Sequence, residues 1–155
     1  VPLEIAVSVN AGDWPQGLEP VAESAVRRTL ELSAAKVAGV AELSIVLTDD
    51  AEQQQLNRQW RGIDKPTNVL SFPQIEPFAP VAGLLGDIVL AHETVAREAA
   101  ELQKPFTDHF THLVVHGFLH ILGYDHIDEA DALVMEALET QILQSLGIAD
   151  PYSDG

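Results

Sequence analysis

Three of the six histidines fall within one eleven-residue string, HGFLHILGYDH, running from His116 to His126. The segment from about Thr107 to Leu122 reads as a helix, so His116 and His120 leave the same face one turn apart. Side chains in that relation can converge on one ion at about 2.0–2.1 Å. The same helix cannot supply a third ligand from a further full turn, because each turn advances about 5.4 Å along the axis. The chain must therefore bend back. Gly123 offers that bend, as the residue best able to take a left-handed conformation and end a helix. Tyr124, Asp125 and His126 can then carry a third imidazole toward the first two.

Three neutral imidazoles leave a tetrahedral ion with an open position for water, the arrangement of a catalytic site; a structural site is normally closed by a fourth ligand. The expected cofactor is one zinc ion. Nickel, copper, cobalt and iron also suit imidazole, so ligand type alone does not fix the metal. His109 and His112 lie roughly two turns and one turn before His116 on the same stripe, and reach keeps them out of the ligand set. His112 could support a ligand from behind by hydrogen bonding. The histidine spacing equals that of the long zincin protease motif with one change: Gly117 stands where the protease has its catalytic Glu. That Glu takes a proton from water, so its absence argues against peptide hydrolysis.

The rest of the chain supplies a frame for such a helix. Ile5, Val7 and Val9 alternate with polar residues as in a strand, and helically spaced apolar residues run from Leu18 to Val37, where Gly39 ends them. Leu43, Ile45 and Leu47 mark a second strand. Asp49 or Asp50 is the expected N-cap, and Gly62 the stop, of a short helix through Trp60. Thr67 to Phe72 reads as a third strand, residues 74–83 as an irregular loop, and Gly86 to Ala91 as a fourth strand buried on both faces. Helices follow at Glu93 to Lys104, Thr107 to Leu122 and Asp128 to Leu146. In the last, Ala130, Leu133, Val134, Ala137, Leu138, Ile142 and Leu146 form the expected core stripe. This order predicts an α/β (α+β) layer domain with a mixed, about four-stranded sheet covered by about five helices, and one domain over residues 1–155.

Composition narrows the function classes. Hydrophobic residues make up 46% of the chain and there is no cysteine, so disulfides and thiolate metal sites are excluded. The opening VPLEIAVSVN has no basic region followed by a long apolar run, and no apolar stretch approaches the roughly 20 residues that span a bilayer. The expectation is a cytoplasmic protein with no membrane partner. The formal charge is −16, which argues against broad phosphate-tracking affinity for nucleic acid. The cations are unevenly placed, however: none follows Lys104, whereas Arg58, Arg61 and Lys65 cluster and could hold one phosphate.

The blocks HGFLHILGYDH, RGIDKPTNVLSFP from Arg61 to Pro73, and LGDIVL from Leu85 to Leu90 together resemble the YbeY family, in matching order and spacing. The resemblance runs from about Leu43 to the end of the last helix. It implies a metal-dependent, single-strand-specific endoribonuclease acting in ribosomal RNA maturation, notably at the 3′ end of 16S RNA, and in ribosome quality control. Its implied partners are single-stranded RNA, ribosomal RNA, and the small ribosomal subunit or its proteins. It places the zinc ligands on His116, His120 and His126 and a functionally important arginine on Arg61. It also implies a zincin-like metal site at one end of a cleft. Asn68 stands where the family often has Asp. Asp125, Arg58 and Lys65 are further candidates for ligand or substrate contacts, and Asp87 reads as structural. Two rival readings are a non-enzymatic ribosome-associated protein with a structural metal, and a metalloprotease with an atypical base.

Overall fold

Alternation of apolar and polar residues in the strands becomes, in the computed structural model, a four-stranded mixed sheet; residues 2–125 and 127–151 are described. The elements are β1 (Leu3–Val9), α1 (Leu18–Leu32), β2 (Val37–Thr48), α2 (Asp50–Arg61), β3 (Val69–Pro73) and β4 (Val81–Ala91), then α3 (His92–Glu101), α4 (Phe106–Leu122) and α5 (Glu129–Ser145). The strand order is β1-β2-β4-β3, with β1, β2 and β4 parallel and β3 antiparallel to β4. The element order had implied this mixed α/β layer architecture.

One sheet face makes the core. Leu43, Ile45 and Leu47 of β2 and Ile88 and Leu90 of β4 are buried together with Phe110, Phe118 and Leu119 of α4. Each such side chain contributes roughly 1.5–3 kcal/mol when fully buried. Helix α4 is apolar nearly all round and lies inside the domain, as that composition requires. Its C-terminal end comes out beside β3, the edge strand, and this juxtaposition positions the histidines.

Four boundaries differ from the sequence reading by two residues or more. Helix α1 stops at Leu32, and Val37 opens β2, because Ser33 is already extended (φ −80°, ψ 170°). The spacing of Ala34 and Val37 from the helix had fitted both readings. Strand β3 begins at Val69 rather than Thr67. Helix α3 ends at Glu101 rather than Lys104, where Gln103 takes a positive φ of 55°. Strand β4 begins at Val81, inside the segment expected to be loop. It tolerates its glycines because the pairing to β2 is irregular there, with a register shift between Glu42 and Leu43.

The largest correction concerns α5. Leu133 and Val134, expected in the core, are 62% and 57% exposed, and Ala130 and Ala137 face solvent too. The buried residues are Met135, Glu139, Ile142 and Leu143. The helix carries two apolar arcs, and docking on α4 selects the arc that contains a glutamate.

Gly86 has φ 142°, and a Cβ there would overlap the Phe72 carbonyl oxygen across the β3–β4 pair. Gly86→Ala should therefore lower stability by roughly 2–4 kcal/mol. Gly39→Ala, whose Cβ would meet only Ala82 at an ordinary 3.6 Å, should be close to neutral. Urea unfolding of both variants checks this; equal midpoints would contradict the β4 backbone described here.

Candidate metal centre

Helical spacing brings His116 and His120 together at the last turns of α4, with their Nε2 atoms 3.1 Å apart. Two imidazoles at tetrahedral angles on an ion at 2.0–2.1 Å would hold their nitrogens about 3.3–3.4 Å apart. The observed pair fits a shared cation within a few tenths of an ångström. Among the described residues no group of three or more His, Cys, Asp or Glu gathers to hold an ion. The third expected ligand, His126, lies outside the described residues.

The bend after the pair forms at the residue read for it. Gly123 caps α4 at φ 117°, its N–H donating to the His120 carbonyl at 3.1 Å, and the Tyr124 N–H donates to Leu119 at 3.0 Å. A Cβ on Gly123 would stand 2.7 Å from the Phe78 nitrogen. The loop carrying Phe78 thus rests directly on the helix end, where the Phe78 N–H donates to the Leu122 carbonyl at 2.9 Å. Both the left-handed conformation and this close approach exclude a side chain.

Behind the pair sits Glu139 of α5, with no solvent exposure. Its Oε1 accepts from His116 Nδ1 at 2.5 Å and its Oε2 pairs with His112 Nε2 at 3.0 Å. A carboxylate without water is costly unless it is paired and hydrogen-bonded, and two imidazoles meet that requirement here. The bond to Nδ1 assigns the His116 proton to that nitrogen and directs the Nε2 lone pair toward His120. A carboxylate in this position also raises the basicity of a ligand imidazole. His112 takes the supporting place that the sequence allowed it. Glu139 was missed, although a signal existed: Met135, Glu139, Ile142 and Leu146 form a 4-3-4 stripe with one charged member.

His109 is held apart. It is buried, and its Nε2 lies 2.9 Å from Glu98 Oε1, which also accepts from Asn68 Nδ2 at 3.0 Å. Burial pushes its pKa below the ordinary value, with Glu98 opposing part of the shift.

The Nε2 pair opens on a cleft of about 560 Å³ lined by Arg61, Ser71, Phe72, Tyr124 and Asp125 as well as His116 and His120. Arg61 is exposed at the end of α2, where Gly62 (φ 71°) terminates the helix as expected and Asp49 caps its start. Arg58 and Lys65 are exposed but are not among the described residues lining this cleft. Gly117 packs against the sheet, on Ile88 of β4 and Ser71 and Val69 of β3. A Cβ there would meet Ile88 Cγ2 at 3.0 Å and Ser71 Oγ at 3.1 Å, while the Ser71 hydroxyl donates to the Gly117 carbonyl. Any side chain at that position would crowd the contact between α4 and the sheet.

Comparison with known proteins sets this site in a lineage. The sequence profile of the family described as Endoribonuclease YbeY matches residues 12–147. A Methylocella silvestris protein named Endoribonuclease YbeY is 54% identical over 152 residues, covering 97% of this chain and 86% of the relative. One of the same name from Rhizobium meliloti is 52% identical over 163 residues, covering 98% and 96%. A solution structure from Thermotoga maritima, TM1509, superposes with a TM-score of 0.56 at 23% identity, covering 96% of this chain and 99% of that one, and shares the fold.

Two expectations follow from the geometry. Elemental analysis should find about one transition-metal ion in the wild type and in His109→Ala, and loss of it in His116→Ala, His120→Ala and His126→Ala. Glu139→Gln should retain the fold and weaken metal affinity about 10- to 100-fold. Undiminished affinity in Glu139→Gln would remove the carboxylate from the site.

The second concerns pH. Because the folded state lowers the His109 pKa, the unfolded chain takes up this proton first, near its ordinary value of about 6.5. Stability should therefore fall as pH drops below about 6.5, until the folded-state value is passed. In metal-free protein, urea midpoints against pH should be flatter for His109→Gln than for wild type.

Proposed function

The chain belongs to the YbeY endoribonuclease family, and from that membership we propose that it is a metal-dependent endoribonuclease that cuts unpaired RNA. Its proposed task is ribosomal RNA maturation in the cytoplasm, including the 3′ end of the small-subunit RNA, and quality control of the small subunit. The observation that carries the reading is one cleft that unites the His116–His120 nitrogen pair with Arg61.

The division of labour follows from residue chemistry. His116, His120 and His126 would hold one ion, with zinc assigned on the strength of three neutral imidazoles. When bound, the ion supplies Lewis acidity toward a phosphoryl oxygen. Arg61 grips the same phosphate with its planar fork of donors and offsets negative charge developing at phosphorus. Asp125, the one carboxylate among the described lining residues, would accept a proton from the attacking group. Glu139 holds His116 in its ligand tautomer from behind, and His112 shares that carboxylate.

A protease reading is disfavoured by Gly117, which has no proton-accepting side chain and is closely packed on Ile88 and Ser71. A purely structural metal would give no reason for an exposed arginine in the same cleft as the histidine pair. No helix among the described residues is long and apolar enough to cross a membrane. With a net charge of −16, the protein cannot track a long stretch of phosphates, and its grip on RNA must come from few contacts.

Arg61 separates chemistry from folding. Arg61→Ala should keep metal content and thermal stability while slowing cleavage about a hundredfold, corresponding to roughly 3 kcal/mol of lost charge stabilisation. Arg61→Lys should recover only part, since an ammonium lacks the bidentate fork. Single-turnover cleavage of unpaired RNA by metal-replete protein is the measurement. Equal rates in all three would remove Arg61 from the mechanism.

A further inference from the structure

A second cleft, of about 680 Å³, opens on the sheet face turned away from α4. Its walls are Leu56 and Trp60 of α2, Phe72 of β3, and Val46 and Val89 of the sheet. Val46 and Val89 have the opposite parity to the core residues Ile45 and Ile88, which puts them on the other face. Trp60 is 64% exposed, an unusual setting for so large an apolar surface, and meets Phe72 edge-on with ring centres 6.1 Å apart.

This cleft continues into the one that holds the histidines. Ser71, Phe72 and Pro73 line both, and β3 between them is the last strand of the sheet. Trp60 and Arg61 are consecutive residues at the end of α2, one lining each cleft. A polymer with its phosphate at Arg61 could pass over the β3 edge and reach Trp60 with its next flat group. The charge of the second cleft selects that group. Glu52 and Asp87 line it and, among the described residues, no Lys or Arg does. Carboxylates repel phosphate but accept N–H groups, and an aromatic wall favours a flat neutral ring.

We propose that this cleft is a nucleobase subsite, in which Trp60 stacks an unpaired base adjoining the phosphate held by Arg61, with Glu52 or Asp87 accepting the base N–H. The inference rests on the RNA-cleaving reading above and adds to it a physical source of single-strand preference. A base within a duplex is already stacked and its N–H edge is occupied, so it cannot enter. Stacking also supplies sequence-tolerant affinity that the acidic surface cannot obtain from phosphates.

The two tryptophans allow a test independent of turnover. Trp14 is tied by its indole N–H to the Ala11 and Thr48 carbonyls, while Trp60 is open to solvent. Metal-free, full-length protein is titrated with an unpaired RNA oligonucleotide, with the same sequence as a duplex, and with an abasic ribose-phosphate oligomer. Only the unpaired RNA should quench emission, and Trp60→Leu should abolish the quench and weaken binding about 5- to 100-fold. Trp60→Phe should keep most of the affinity. With metal restored, Trp60→Leu should raise KM more than it lowers kcat. Equal quenching by the abasic oligomer, or unchanged affinity in Trp60→Leu, overturns the subsite even if the wild type cleaves RNA. A wild type that neither binds nor cleaves RNA overturns the functional reading and the subsite with it.

Discussion

The buried carboxylate of Glu139 is the constraint on which the site and much of the helical layer depend. A carboxylate with no solvent exposure must find its donors inside the protein, and His112 and His116 of α4 are two that it finds. Those bonds fix how α5 is rotated on α4. They explain why Met135, Ile142 and Leu143 turn inward while Leu133 and Val134, equally apolar, are left in solvent. The same bonds fix the His116 tautomer, so one interaction sets both the rotation of a helix and the direction of a lone pair.

Glycine does the complementary work of removing atoms where elements must meet closely. Gly117 lets α4 lie against β3 and β4 closely enough for the Ser71 hydroxyl to reach its carbonyl, and Gly123 lets the Phe78 loop lie on the helix end. The first of these has a chemical consequence. At the position where a zincin protease carries its general base, this chain uses the space for helix–sheet contact. The histidine pair is thereby retained on a helix that presents no glutamate beside it.

Features governed by local chemistry were legible in the sequence: the Asp49 cap, the Gly62 and Gly123 stops, and the histidine spacing on α4. The mixed four-stranded sheet followed from the order of the elements. What was not legible depended on a partner distant in sequence. The end of α1 and the start of β4 were obscured because apolar residues near each boundary fit two periods, and sheet pairing decided between them. The face of α5 was misread because apolarity alone cannot distinguish two arcs when the decisive contact is polar. Arg61 came from family resemblance, and only the folded chain brings its helix end to the same cleft as His116 and His120.

On the proposed reading, helix α2 has a role that its modest burial conceals. It is anchored to β4 by Gln53, whose side-chain amide donates to the Val89 carbonyl, and its last residues are fixed by the left-handed turn at Gly62. Those last residues are Trp60 and Arg61, one apolar and flat, the other cationic and planar. In a protein carrying a formal charge of −16, long-range attraction cannot gather a polyanion, so recognition must be built from short-range contacts whose geometry is set in advance. A capped, anchored helix end that presents two adjacent planar groups on either side of an edge strand would meet that requirement without a basic surface.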